Sequence, residues 1–295
     1  MSWSKSLKEH PSASTLSGEE GSQVRGTYGG AGASARARYR VLAAEHRPER
    51  VILRIALAGT AGVFVAGPID VLVGGSAEWY AGAGAALVVI VLHGCYLRWR
   101  PGVLSGWRSG ALAELRTGRA LATLDPVGFH VLHDRSLPDA PAANLDHLVI
   151  GLTGVYAVTT RNWGRFTADR RHGGLVGVLL RLGRPLRLRA DQRRVWLGER
   201  QLSELPAAAA RAARTVATAL AAELDHEIRV IPVVAVHGAR PPRGGLRFGG
   251  VVFHPARRVP RFVQERPIVF TSAQVATIAA AADRMLPPML ARPWR

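Results

Sequence analysis

GFHVLHDRSLPDAPAANLDHLVIGLTGVYAVTTRNW, residues 128–163, is the stretch of sequence that decides the fold. Three apolar runs rich in strand-forming residues occur in it, at Phe129–His133, Leu145–Ile150 and Val155–Thr160. The turn residues Gly151–Gly154 separate the last two runs, which is typical of a hairpin. The stretch therefore predicts three consecutive β-strands, with Asp146 at the start of the second and Arg161 just after the third.

Helical and strand patterns continue on both sides of this stretch. In chain order they are a helix at Ser109–Leu124, a basic and irregular segment with a hairpin at Arg161–Arg200, a helix at Glu204–Leu224, a buried strand at Arg229–His237, short strands at Gly250–His254 and Pro267–Phe270, and a helix at Ser272–Leu286. Helices and strands in this order predict an α/β fold, a mixed sheet flanked by helices.

The N-terminal third of the chain has a different composition. Residues 1–50 are rich in Ser, Gly and Ala, with scattered charges and no apolar period, which predicts a disordered tail. Residues 51–100 are expected to form a transmembrane hairpin, and residues 106–295 a soluble domain. No apolar core follows the start of the chain, so the tail does not resemble a signal peptide.

The hairpin is predicted from two apolar stretches, Ile55–Val73 and Tyr80–Leu97. Each is just long enough, since a spanning helix needs roughly 20 apolar residues. Arginines flank the pair on both outer sides, whereas the short connection holds Asp70 and Glu78 and no Lys or Arg. This asymmetry predicts a multi-pass protein of the cell membrane with its N-terminus and C-terminal domain in the cytoplasm. The alternative is a pair of buried helices in a soluble protein.

The charge of the chain is strongly positive. Its 295 residues include 39 Lys and Arg against 21 Asp and Glu, a net charge of +18. This surplus favours polyanionic partners such as DNA, RNA or the lipid bilayer, although high genomic GC content also explains abundant arginine. The single cysteine, Cys95, excludes an intrachain disulfide and a multi-cysteine zinc site. No Walker loop, HExxH or GxSxG motif occurs, and we expect no small-molecule substrate.

Two carboxylates are candidates for metal chemistry, Glu114 on the first helix of the domain and Asp146 on the second strand. Mg²⁺ takes oxygen ligands and often only one or two protein carboxylates. Bound there, it would activate water and neutralise a phosphodiester transition state. The alternatives are a solvated helix-face acid and a turn or edge-strand acid. His130, His133 and His147 are not expected to form a zinc site, because strand alternation should scatter them.

The basic segment after the third strand supplies candidate nucleic-acid contacts. We single out four of its arginines, Arg187, Arg189, Arg193 and Arg194. Guanidinium groups bind phosphates bidentately, so a cluster of them suits a nucleic acid backbone. The alternative is a solvated basic face without a partner.

Eight short segments of the chain together resemble those of a known family. The segments are Gly110–Glu114, Gly128–Asp134, Asn144–Gly151, Gly154–Val158, Asn162–Trp163, Val230–Ala239, Gly250–Val252 and Ala281–Pro288. Together they resemble the nuclease-related domain (NERD) family, a branch of the restriction-endonuclease-like PD-(D/E)xK superfamily. The resemblance extends from about residue 106 to the C-terminus. Actinobacterial members with membrane helices before the domain are especially similar.

The resemblance implies roles for particular residues. Glu114 matches the acid on the family's helix, and Asp146 matches its metal-binding acid. The family's third-strand acid and lysine fall on Thr159 and Arg161, and the helix glycine before the acid is replaced by Ala113. One anionic metal ligand is therefore missing. Arg161 keeps a positive charge for a phosphate but cannot act as a general base near neutral pH.

The function expected from these residues is nucleic acid binding with weak or lost Mg²⁺-dependent phosphodiester hydrolysis. Glu114 and Asp146 would hold the metal, and Arg161 would clamp a phosphate. The alternative is a non-catalytic membrane scaffold or partner-binding module that retains the nuclease-like fold. The two carboxylates favour the first hypothesis, and the replacements at Thr159 and Arg161 favour the second.

Overall fold

A computed structural model of the protein describes residues 30–73, 76–99, 103–138, 140–163 and 186–291. The helices are α1 (Ala33–Glu45), α2 (Arg47–Val73), α3 (Ala77–Trp99), α4 (Val103–Leu121), α5 (Glu204–Leu224), α6 (Val259–Gln264) and α7 (Ser272–Met285). Short 3-10 helices occur at Ala122–Val127, Ala256–Arg258 and Met289–Ala291. The strands are β1 (His130–Leu137), β2 (Ala140–Gly151), β3 (Gly154–Asn162), β4 (Leu186–Ala190), β5 (Val195–Leu197), β6 (Arg200–Gln201), β7 (Val230–His237), β8 (Ala239–Arg240), β9 (Leu246–Phe248) and β10 (Val251–Pro255).

The main sheet has six strands in the order β1-β2-β3-β7-β10-β9. Strands β1, β2 and β3 run antiparallel to one another, β3, β7 and β10 run parallel, and β9 is antiparallel to β10. The mixed sheet flanked by helices that the sequence predicted is therefore present. A smaller four-stranded sheet, β6-β5-β4-β8, contains the hairpin expected in the basic segment. Residues 164–185 of that segment lie outside the described residues.

Both faces of the main sheet are buried, as expected of strands with nearly continuous apolar runs. On one face, Leu148 and Ala157 pack against α5 and α7. On the other face, Val149 and Tyr156 pack against the end of α4, the following 3-10 helix and α6. Side chains alternate between the faces along each strand. Asp146 therefore lies on the same face as Leu148, toward the end of the sheet where the apolar core stops.

The N-terminal segment corrects one expectation. Residues 33–45 form α1, and α2 begins at Arg47, so the disordered tail predicted through residue 50 is helical from residue 33 onward. Ala and Arg both have high helix propensity, and the first turn of α1 is buried against the domain, where Ala33 and Ala35 are 8% and 4% exposed. Tertiary contacts thus stabilise a helix whose sequence has little amphipathic pattern.

Two smaller expectations also differ. Asp146 lies within β2 rather than at its start, because β2 begins at Ala140. Pro267–Phe270 is not a strand; instead the N–H groups of Val269 and Phe270 both donate to the carbonyl oxygen of Leu152. This single carbonyl anchors the segment, which forms no ladder of strand hydrogen bonds. A short apolar run looks the same in the sequence whether or not it joins a sheet.

Two of the described helices are long and apolar enough to cross a membrane, over Arg47–Leu72 and Ala77–Leu97. The two helices pack closely at Gly62 and Gly82. A Cβ added to Gly82 would lie only 3.0 Å from the carbonyl oxygen of Gly62. Only 6% and 11% of their most apolar windows are buried, so they are not core helices of the α/β domain. Their exposed apolar surface includes Phe64 and Leu92.

Candidate functional site

Helix α4 and strand β2 bring Glu114 and Asp146 close enough to interact electrostatically. Burial raises the pKa of Glu114 to about 9, and the like charges of Asp146 and Asp134 add to that effect. Burial also raises the pKa of Asp146 to about 6, while Arg161 and the N–H of Thr160 oppose the rise. Each carboxyl therefore holds its proton more tightly than in water, and Glu114 is protonated at neutral pH.

The two carboxyls differ in how their oxygens are satisfied. Asp146 is 5% exposed, and its Oδ2 accepts a hydrogen bond from the N–H of Thr160 at 2.6 Å. Oε2 of Glu114 is buried and has no hydrogen-bond partner among the described residues. An unsatisfied buried oxygen is costly. A proton or a cation at this oxygen would relieve that cost.

The end of β3 lies directly beside Asp146. The register pairs His147 with Val158, which places Asp146 across from Thr159 one step further along the strands. Side chains of cross-strand partners lie on the same face, and Arg161 shares that face with Thr159. The resemblance assigns an acid to the position of Thr159, and the hydroxyl of Thr159 supplies no negative charge there.

Arg161 completes the constellation that the sequence predicted. It is exposed, and its Nη1 donates to the carbonyl oxygen of Thr160 at 2.9 Å. Its positive charge lowers the pKa of both Glu114 and Asp146, so it lies near both carboxyls. The structure thus brings together the three residues proposed for catalysis; their roles stay predictions.

Asp134 is a site residue that sequence reasoning missed. It is fully buried, has a positive φ of 50°, and raises the pKa of both Glu114 and Asp146. Its Oδ2 accepts the N–H of Ser34 at 2.6 Å, and its Oδ1 accepts the hydroxyl of Ser34 at 2.5 Å. The side-chain amide of Asn144 also donates to Oδ1, at 2.9 Å. Both oxygens are therefore occupied by hydrogen bonds.

The histidines beside the site are arranged differently from the expectation. His133 and His147 are cross-strand partners, and their Nδ1 atoms lie 2.8 Å apart. One ring must donate and the other accept, so the accepting ring is neutral, and burial lowers the pKa of each ring and so disfavours its charged form. The prediction that alternation scatters them is wrong for this pair. Among the described residues, no three His, Cys, Asp or Glu side chains form a metal-binding group.

The four arginines proposed for nucleic acid lie on the second sheet and are all exposed. Arg187 and Arg189 belong to β4, and Arg193 and Arg194 occupy the turn before β5. The N–H groups of these last two both donate to Oδ1 of Asp191 at 2.7 Å. No described hydrogen bond or ion pair joins any of the four to the carboxyls on α4 and β2. They form a separate basic surface.

Comparison with known families matches residues 109–237 to the nuclease-related domain. The match begins within α4 and ends at the last residue of β7, so it includes Glu114, Asp146 and Arg161. The restriction-endonuclease-like placement fits the mixed sheet and its flanking helices. No curated protein and no solved structure matches the chain.

Proposed function

We propose that the protein is anchored in a membrane, binds nucleic acid and hydrolyses phosphodiester bonds weakly with Mg²⁺. The observation that carries the proposal is the convergence of Glu114, Asp146 and Arg161 inside a segment that matches the nuclease-related domain. Two acids and one exposed cation are the groups that a metal ion and a scissile phosphate require.

Glu114 and Asp146 suit Mg²⁺, because this ion often takes only one or two carboxylates from a protein. Oε2 of Glu114 has no partner in the part of the chain that the structure describes, and a divalent cation would relieve the repulsion between the two carboxyls. When bound, the ion supplies a Lewis acid and a water of lowered pKa. Thr159 removes one negative charge from the site, so the affinity should be low. Glu114 must also give up its proton before it can coordinate the ion.

Arg161 is suited to holding the phosphate rather than to moving a proton. Its guanidinium can bind two phosphate oxygens at once and offset the charge that develops on them. It stays protonated at any physiological pH, so it cannot accept a proton from an attacking water. The site therefore orients and neutralises the phosphate well but lacks a tuned base. Slow hydrolysis follows from this combination.

Membrane anchoring is supported by the uncovered apolar surfaces of α2 and α3 and by the charges at their ends. An acidic connection between arginine-rich flanks favours both termini in the cytoplasm. Single cysteines at Ser76 and Ser17, in a chain without Cys95, test this arrangement. An impermeant thiol reagent added to intact cells should label position 76 and not position 17. The opposite labelling pattern would refute the topology.

The function is tested with the full chain purified in detergent and labelled DNA and RNA substrates. We expect slow cleavage that requires Mg²⁺ or Mn²⁺, stops with EDTA and is lost in Asp146→Ala. Arg211→Ala, an exposed change on α5, is the matched control and should cleave as the wild type does. Cleavage that survives Asp146→Ala would show that another site is responsible.

A non-catalytic scaffold that retains the fold is the second candidate function. It is favoured by Thr159, which supplies no charge to the metal, and by the N-terminal segment packed against Glu114. This candidate predicts no cleavage and no affinity for nucleic acid under any metal condition. The same assay therefore separates the two functions.

A further inference from the structure

An open pocket of about 580 Å³ lies at the carboxyl ends of two parallel strands. Its walls are the end of β7 with the residues after it, from Val236 to Arg243, and the end of β10 with the residues after it, from Pro255 to Arg258. In α/β sheets, ligands commonly bind in crevices outside the carboxyl ends of parallel strands. Strand β3, whose end carries Arg161, is parallel to β7 and adjacent to it, so the pocket opens on the same edge as the candidate site.

The charge of the pocket identifies the ligand chemistry. Four exposed arginines line it, Arg240, Arg243, Arg257 and Arg258. None of its described lining residues is acidic, and none of the four arginines forms an ion pair with a described carboxylate. Arg240 is also the strand partner of Arg187, so two like charges lie side by side. An anionic ligand would relieve this repulsion.

A second pocket makes a useful contrast. It has about 530 Å³ and is lined by Arg189 together with Asp191 and Glu199. Those two carboxylates would repel a phosphate. The arginine-lined pocket is therefore the better phosphate site, although the sequence pointed to the arginines around β4 and β5.

We propose that this arginine pocket binds backbone phosphates of a nucleic acid strand that extends from the candidate cleavage site. The inference rests on the proposed function and adds a subsite to it. Arg240 and Arg257 would contact the phosphates, since neither makes a described hydrogen bond. Arg258 instead donates to the carbonyl oxygen of Arg243 at 3.2 Å and supports the pocket wall.

The test measures binding of a labelled single-stranded DNA to the full chain in detergent, over a range of salt concentrations. Arg240→Ala with Arg257→Ala should weaken binding and reduce the salt slope by about 1.4, because each lost phosphate contact on a single strand contributes about 0.7. Arg211→Ala with Arg214→Ala removes the same charge from exposed positions on α5 and should change the slope far less.

The outcomes distinguish this inference from the function on which it rests. If the wild type binds DNA and the pocket variant behaves like the α5 control, the subsite is refuted and the proposed function stands. If the wild type binds no nucleic acid at low salt, the proposed function fails and the subsite fails with it.

A different observation carries a second inference, the close packing of residues 30–36 against the candidate site. Ala31 and Ser34 are buried, and Ser34 donates twice to Asp134. A Cβ on Gly32 would lie 3.4 Å from Oε2 of Glu114 and 2.9 Å from the carbonyl oxygen of Ala111. The segment therefore lies directly against the carboxyl that the metal requires.

The segment is held rigidly and connects to the first apolar helix. Arg36 donates to the carbonyl oxygens of Ala31 and Gly32 at 3.0 and 3.2 Å and fixes the turn before α1. At the other end of α1, Arg50 donates to Ala43 and His46 and joins α1 to α2.

We infer that residues 30–36 form an autoinhibitory contact that weakens the binding of metal and nucleic acid at Glu114 until the segment is displaced. This inference also rests on the proposed function. Gly32 has a φ of 68°, and its backbone approaches Ala111 too closely for a side chain. Gly32→Val should therefore expel the segment, and Ser34→Asp should do so independently by placing a like charge beside Asp134.

Release is measured in the full chain by two readouts, Mn²⁺ affinity and the rate of metal-dependent DNA cleavage. Both variants should bind Mn²⁺ more tightly and cleave faster than the wild type, whereas Arg40→Ala, an exposed change on α1, should not. Equal affinity and equal rates in wild type and variants would refute autoinhibition and leave the function intact. If neither wild type nor variants bind Mn²⁺ or cleave DNA, the proposed function itself fails.

Discussion

Replacing Glu114 by Gln should stabilise the protein, and the gain should grow as the pH rises. The folded-state pKa of Glu114 is about 9, against an ordinary value of 4.5. Between these values the folded carboxyl keeps its proton while the unfolded one loses it. The stability that the neutral group contributes is complete below pH 4.5 and is lost as the pH rises toward 9. Gln has a similar shape and no proton to lose.

The magnitude follows from the size of the pKa shift. Each pH unit in this window changes the free energy of unfolding by about 1.4 kcal/mol. From pH 5.5 to 7.5, the advantage of Glu114→Gln over the wild type should therefore grow by roughly 3 kcal/mol. For a domain of this size, about 1 kcal/mol corresponds to about 2–4 °C in Tm, so the added gain is on the order of 10 °C.

Thermal unfolding of the full chain in detergent, followed by tryptophan fluorescence, measures this difference at the two pH values. Asp146 titrates in the same window in both proteins, so comparison of the two cancels most of its effect. Glu227→Gln, at an exposed position, is the control and should shift Tm equally little at both pH values. A Glu114→Gln gain that is the same at pH 5.5 and 7.5 would refute the buried, protonated state of this acid.

Two further predictions concern neighbouring residues. The double variant Thr159→Glu with Arg161→Lys should raise metal-dependent cleavage, because it supplies the missing anionic ligand and a smaller cation. General acid–base groups contribute about 10²–10⁴-fold to a rate, so even a partial gain should be measurable. Asp146→Ala in that background should abolish the gain. The wild type should lose stability relative to His147→Gln as the pH falls from 6.5 to 5, since burial holds the pKa of His147 well below 6.5. Denaturant titrations at both pH values would show a constant difference if His147 were not buried and neutral.

Much of the fold could be predicted because it depends on local patterns. Helix α5 begins at Glu204 and ends at Leu224 as its Ala-rich pattern indicates, and the turn at Gly151–Gly154 fixes the register of β2 and β3. That register places Asp146 beside the end of β3 without any long-range information. The meeting of Glu114 with Asp146 was anticipated from the family resemblance rather than from a local pattern.

The remaining features depend on contacts that leave no periodic signal. Ser34 and Asp134 are 100 residues apart, and nothing in an Ala- and Arg-rich tail indicates a hydrogen bond to a buried acid. The pairing of His133 with His147 depends on the register across the β1–β2 connection, which alternation within one strand does not determine. Likewise, the arginine pocket forms only where the segments after β7 and β10 meet.

Isothermal titration of the full chain with Mg²⁺ tests the central claim most directly, that Glu114 and Asp146 form one metal site. We expect a weak single site that is lost in Asp146→Ala. At pH 8 binding should release close to one proton, because a group with a pKa of about 9 is still mostly protonated there. Proton release is obtained by comparing two buffers of different ionisation enthalpy. Binding that persists in Asp146→Ala, or no binding by the wild type, would contradict the account.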